Sequence, residues 1–285
     1  MSVLAAQAPV SKAFSQYDDA IAARIETGKL KLPVLPLAIQ RIMEMNSNPE
    51  FDVQALSELI HQDQTLAGHV LRVCNSSIYA GTYKISSLRQ AISRLGGHAM
   101  VKIAVSVTMQ GEIFQVVRFR EEIQEIWRHA FASGLYAQEI AIVRGAPDPQ
   151  MYMCGLLHQV GKPVLLQTIV SVARQLDSVL DESEVARLLA VYHTRVGTLL
   201  ATTWKLPATI VDACRFYEQP GDAPTPATEV YVTHLASRLA DGLLEGQVPA
   251  CDPALLDAIG LTAAHWATLQ SKEEEIKAMM GAISV

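Results

Sequence analysis

Gly155-Leu156-Leu157-His158-Gln159-Val160-Gly161-Lys162 lies just past the middle of a 285-residue chain. Its apolar first half reads as the end of a buried helix, and the histidine falls where that helix stops. A small glycine, read as a loop residue, and a lysine follow. Imidazole is the side chain best suited to bind a metal or exchange a proton near neutral pH. Gln159 beside it is a neutral amide and brings no negative charge to a hard divalent cation. One good metal donor thus stands next to a poor one.

On both sides of this segment the periodicity is helical. Residues 121–143 carry Ile123, Ile126, Trp127, Ala130, Leu135, Ile140 and Val143 in a long helical pattern. Between 52 and 75 the apolar residues cluster three to four apart, with Asp52 and Asp63 placed as N-caps of two successive helices. Ser87 and Gln90 have capping-box spacing just ahead of Leu88, Ala91, Ile92 and Leu95. Gly96 and Gly97 then suit a left-handed stop. The valine-rich run 100–110 fits strand or helix by pattern alone, and its helical neighbours favour a buried helix. Phe14, Tyr17, Ile21 and Ile25 predict a leading helix, while 230–244 and 263–280 predict two more.

Two breaks punctuate the chain. Residues 145–149 separate helices inside one unit. Residues 219–228 hold Pro220, Gly221, Pro224 and Pro226, the densest breaker cluster, and end the main unit. No strand, repeat, heptad array or low-complexity tract is read. The expected fold class is all-α.

The octapeptide resembles the GLLHDIGK signature of HD-domain phosphohydrolases. In those enzymes the adjacent histidine and aspartate ligate a metal that activates water against a phosphoester. Here the aspartate position holds Gln159. A second, ordered set of segments is more specific. Leu32-Pro33-Val34-Leu35-Pro36 opens a helix and is followed by Leu59-Ile60-His61-Gln62-Asp63-Gln64-Thr65-Leu66. Leu71-Arg72-Val73-Cys74-Asn75-Ser76 comes next, then Ile85-Ser86-Ser87-Leu88-Arg89-Gln90-Ala91-Ile92 and Leu95-Gly96. This set resembles the HDOD family, the HD-related output domain of bacterial signalling proteins. Gln64 departs from it, standing where the family usually has a proline suited to a first helical turn.

The resemblance implies an HD-like helical bundle preceded by an N-terminal helical subdomain. It divides the chain into an extension at 1–24, an HDOD domain at 25–225 and C-terminal helices at 226–285 that complete or pack on the bundle. The HDOD domain itself splits at 115 into an N-terminal helical part and a degenerate HD-like part.

It also implies which metal positions survive. Trp127-Arg128-His129-Ala130 keeps the first histidine, and His158 keeps the second. His193 is kept in Tyr192-His193-Thr194-Arg195-Val196-Gly197, ahead of Trp204-Lys205-Leu206-Pro207. Where catalytic relatives often carry paired histidines, this chain has Phe216 and Tyr217, followed by Glu218. The last metal aspartate aligns with Ser237, and Asp241 lies one turn further on. By this count the carboxylates and the histidine pair are lost, and no catalytic residue, metal or cofactor is expected. A hydrolytic two-metal site needs carboxylate bridges and an open position for water. His129, His158 and His193 remain able to converge, and three imidazoles can bind zinc or iron.

Plainer readings stand beside these. Any one histidine is more often an ordinary hydrogen-bonded residue than a ligand. The Leu-Pro-x-Leu-Pro segment fixes φ twice ahead of a helix. Asn75 and Ser76 cap or terminate helices, Arg72 is solvated, and Trp127, Trp204 and Trp266 belong to the core. The charge run 272–275 is an exposed helical turn.

Composition narrows the function classes. Half the residues are hydrophobic, and only 18% are charged, which excludes a disordered chain. The net charge is −6 with no basic run, so nucleic acid is not an expected partner. Four scattered cysteines form no C-x-x-C pair and read as buried reduced thiols. The apolar start of the chain has no basic leader, and no run approaches the roughly 20 apolar residues of a membrane span. A soluble cytoplasmic protein is expected.

The function implied by the resemblance is a non-catalytic regulatory module of bacterial signalling that works through contacts with a partner protein. Low charge content agrees with an apolar partner face. One alternative is a sensor binding a cyclic di-GMP-like nucleotide in the vestigial pocket, with Arg128, Lys162 and Arg195 as phosphate contacts. Another is residual metal-dependent phosphohydrolase activity.

Overall fold

The computed structural model describes residues 16–46, 52–79, 81, 83–114, 116–179, 181–225 and 227–283. Among them every regular element is a helix. The N-terminal helices are α1 (Gln16–Glu26), α2 (Leu37–Asn46), α3 (Val53–His61), α4 (Gln64–Cys74), α5 (Leu88–Leu95) and α6 (Gly97–Thr108). The bundle comprises α7 (Arg120–Val143), α8 (Pro149–Leu157), α9 (Gly161–Gln175), α10 (Glu182–Thr203), α11 (Ala208–Phe216) and α12 (Thr228–Glu245). Three short helices close the chain: α13 (Pro253–Ala258), α14 (Ala263–Ser271) and α15 (Glu273–Ile283).

Local sequence explains most helix starts. Asp52 accepts from the backbone of Gln54 and Ala55, and Asp63 from Thr65 and Leu66, so each satisfies two of the orphan amides of a first turn. Ser87 caps α5 through the Gln90 amide at 3.2 Å. The reciprocal half of the box is displaced by one residue, because Gln90 Oε1 accepts from Ser86 N at 2.9 Å. Gly96, at φ +84°, turns the chain from α5 into α6. The valine-rich run is indeed helical. Met100, Val101, Ile103, Ala104 and Val105 are all buried, since α6 packs against α2, α4 and α5 on one side and α8 and α15 on another. A helix covered all round needs no polar stripe, which is why its pattern resembled a strand.

Asn75 terminates α4 and does more. Its amide donates to the carbonyls of Leu71 and Ile85 and accepts from the Ile85 amide, each at 2.8 Å. It thereby ties the segment before α5 to the end of α4. Trp204, after α10, is buried as expected and donates from Nε1 to the Pro33 carbonyl at 2.9 Å. This bond fixes the Leu-Pro-x-Leu-Pro segment against the bundle.

The long helix α7 is the spine, packed by α8 and α12 along its length and by α14 and α15 outside. The leading helix α1 packs on α9. Its Asp18 is buried and pairs with Arg187 of α10, which also bonds Glu184 at 2.8 Å. Tyr192 donates to Asp18 at 3.1 Å. A buried carboxylate is tolerable only with such company. Phe14 lies outside the described residues.

The C-terminal region differs from its expected pattern. Residues 263–280 break at Lys272 into α14 and α15, and α13 precedes them. Lys272 reaches Glu139 of α7 at 3.3 Å and Glu275 at 3.0 Å, so the charge run anchors the tail rather than merely facing solvent. Cys74, Cys154 and Cys214 are buried thiols, whereas Cys251 is exposed.

Candidate functional site

Both glycines of the Gly155–Lys162 octapeptide are close-approach positions. A Cβ on Gly155 would lie 2.3 Å from the Ser133 carbonyl oxygen of α7. A Cβ on Gly161 would lie 2.1 Å from the His193 carbonyl oxygen and 2.5 Å from the Gly197 nitrogen of α10. Gly161 is therefore not a loop residue but the first residue of α9, and it is small because another backbone touches it. These two contacts set α8 against α7 and α9 against α10. His129 (α7), His158 (the end of α8) and His193 (α10) come to one place as a result.

Each imidazole has a distinct setting. His158 is fully buried and donates from Nδ1 to the Gly155 carbonyl at 2.6 Å, which leaves the Nε2 lone pair with no partner. Burial, and next the neighbouring His129, hold it well below the ordinary imidazole range. It is neutral at physiological pH. The His129 ring lies 5.4 Å from that of His158. His129 Nε2 is 2.9 Å from Asp241 Oδ1 but lacks the alignment of a hydrogen bond. His193 donates from Nδ1 to the Leu189 carbonyl at 2.7 Å, which leaves Nε2 facing the cluster.

That nitrogen meets Tyr217. The Tyr217 hydroxyl is hydrogen-bonded to His193 Nε2 at 2.8 Å, and its ring meets His158 edge-on with centroids 4.5 Å apart. The Gln159 side chain lies near the same phenol and opposes the rise of its pKa. Glu218 Oε1 lies 3.3 Å from the phenol oxygen and 3.2 Å from His193 Nε2. Burial, and after it the Glu218 carboxylate, push the Tyr217 hydroxyl well above its usual range, so it stays protonated. Gln159 and Tyr217, the two residues expected from the sequence at altered ligand positions, lie beside each other in this cluster.

The remaining sequence-derived positions scatter. Lys162 faces the cluster: burial pulls it down to about 8, against the opposing pull of Glu218 and Asp241. Arg128 and Arg195 are exposed on α7 and α10. Phe216 stacks under the Arg215 guanidinium at 4.9 Å. Ser237 is buried on α12, and the carboxylate that reaches His129 comes from Asp241, one turn later. Two carboxylates, Asp241 and Glu218, thus flank the histidines although the aligned positions carry none. Proximity across helices so far apart in sequence leaves no local signal. The one available hint was the four-residue step from Ser237 to Asp241, which share a helix face.

A divalent cation in a hydrolytic site needs converging charged donors and an open position for water. His158 Nε2 and Asp241 are available, but His193 Nε2 is occupied by the phenol and Gln159 is neutral. Among the described residues no three His, Cys, Asp or Glu side chains form a group able to hold a metal. The residues present do not fit the metal centre of the catalytic relatives.

Comparison with known proteins places this geometry. The HDOD domain family model matches residues 32–220. The crystal structure of an HDOD domain protein of unknown function from Geobacter sulfurreducens superposes with a TM-score of 0.69 at 20% identity, covering 94% of this chain and 98% of that one. A Shewanella amazonensis SB2B protein described as a "putative phosphohydrolase" gives 0.68 at 20% identity over 93% and 98% of the two chains. A Marinobacter aquaeolei VT8 protein described as a "putative signal transduction protein" gives 0.68 at 22% identity, covering 97% of this chain and 68% of that one. At such identities the likeness is one of fold. An uncharacterized protein of Treponema pallidum (strain Nichols) is 25% identical over 226 residues. That match covers 76% of this chain and 44% of the relative, so the chain spans less than half the relative's length.

Proposed function

The chain belongs to the HDOD domain family, and on that footing we propose that it is a non-catalytic regulatory module of bacterial signal transduction, acting through contact with a partner protein. One observation carries the reading: Tyr217 is hydrogen-bonded at 2.8 Å to His193 Nε2, the atom with which that histidine would bind a metal. A Marinobacter protein of the same fold described in signalling terms is consistent with it. The scaffold that once positioned ligands is retained for packing, through Gly155, Gly161 and the buried histidines.

The competing reading, a metal-dependent phosphohydrolase, draws on Asp241 beside His129 and on the unpartnered Nε2 of His158. The two readings separate in a strain deleted for the gene. A His129→Gln protein with an unchanged melting temperature restores the wild-type phenotype if the module works by contact. Failure of that folded variant to complement, with hydrolytic activity present in wild type and absent in the variant, contradicts the proposal.

A further inference from the structure

Away from the histidines, a cavity of about 380 Å³ opens where α4, the end of α6, the start of α7 and the end of α15 meet. His69 and Arg72 of α4 and Arg120, the first residue of α7, stand on its wall. None of its lining residues is acidic, although the chain carries a net charge of −6. Among the described residues neither arginine is engaged in an ion pair.

The floor is aromatic. Phe114 and Trp127 meet edge to face with centroids 5.2 Å apart, and Trp127 stacks on Phe131 at 5.7 Å. Here the backbone leaves α-helical geometry for one π-helical turn at Met109–Ile113, which brings Gln110 into the wall. Such turns are rare and occur frequently at functional sites. The Gln110 amide, oriented to accept from Trp127 Nε1 and donate to the Ile283 carbonyl, each at 3.2 Å, ties that floor to α15.

We propose that this cavity binds a small organic anion, its flat apolar body against Phe114 and Trp127 and its phosphate or carboxylate held by Arg72 and Arg120. Guanidinium forks match both oxyanions in bidentate geometry. The volume lies near the lower end of small-molecule sites, roughly 300–1,000 Å³, and suits a mononucleotide or an aromatic acid rather than a dinucleotide. Such a ligand would touch the N-terminal helices, the bundle and the last helix at once, and so would supply an input to the regulatory role proposed above without depending on it.

Calorimetric titration of the full chain with AMP, GMP, indole-3-acetate, inorganic phosphate and adenosine tests the proposal and separates its two oxyanion sources. At least one aromatic anion is expected to bind. Arg72→Gln and Arg120→Gln are each expected to weaken it about tenfold, the effect of losing one charged hydrogen bond. Both arginines are exposed, so the unliganded melting temperature should not move, and Lys162→Gln at the histidine cluster should leave the affinity unchanged. The proposal is overturned by any of three results. These are no binding of any aromatic anion at millimolar concentration, binding that survives both arginine substitutions, or binding of phosphate or adenosine alone as tight as that of AMP.

Discussion

Charging His158 would put an imidazolium in a fully buried position beside His129. In the unfolded chain the same ring takes a proton near pH 6.5, whereas in the fold it does so only well below that. The unfolded state therefore binds more protons as the pH falls through 6.5, and stability declines across that window and below it. His234, also depressed, first by burial, adds in the same direction. The melting temperature is expected to fall between about pH 7.5 and about pH 5.5, and His158→Gln to flatten part of that fall. Equal slopes in both proteins would refute the assignment. Gly161 makes the second residue-level prediction. Its missing Cβ would sit 2.1 Å from one backbone atom and 2.5 Å from another, neither the far end of a flexible side chain. Gly161→Ala should cost about 2–3 kcal/mol in urea unfolding, the usual penalty of overpacking. A cost under about 1 kcal/mol would mean that α9 and α10 are not in the contact described.

At the scale of elements, what could be read in advance was what is local. The caps at Asp52, Asp63 and Ser87 were legible because each bonds a backbone amide two or three residues away. The break at Lys272 was not, because apolar spacing continues through it, while Lys272 itself pairs with Glu139 of α7 far away in sequence. The site divides in the same way. His129, His158 and His193 were legible from their own motifs, whereas the pairing of Asp241 with His129 spans 112 positions of sequence and depends on how α12 lies on α7. Gly161 differs from its expected loop role for a related reason, since the need for a small residue comes from α10. Asn75, read as a helix-ending residue, proves to be a clamp across two elements. Asn75→Ala removes three hydrogen bonds and leaves both backbone groups of Ile85 without their partner. A loss of about 2 kcal/mol by chemical denaturation is expected, and the loss should be equal in the presence and absence of any ligand.

Across the whole molecule, one contiguous set of buried apolar side chains runs from Tyr17 on α1 to Ile283 on α15. No helix among the described residues is long and apolar enough to cross a membrane. Within that core several of the buried polar side chains lie at the histidine cluster, among them His129, His158, Gln159 and His193, whereas Asp18 is buried apart with Arg187. The proposed absence of metal chemistry rests on this cluster, where the Tyr217 phenol lies against His158 and His193. The most direct test is elemental analysis of the purified protein joined to hydrolysis of bis(p-nitrophenyl) phosphate with added manganese. No stoichiometric metal and no turnover above buffer are expected. Metal bound in stoichiometric amount, with turnover that His158→Gln abolishes, would contradict that proposal.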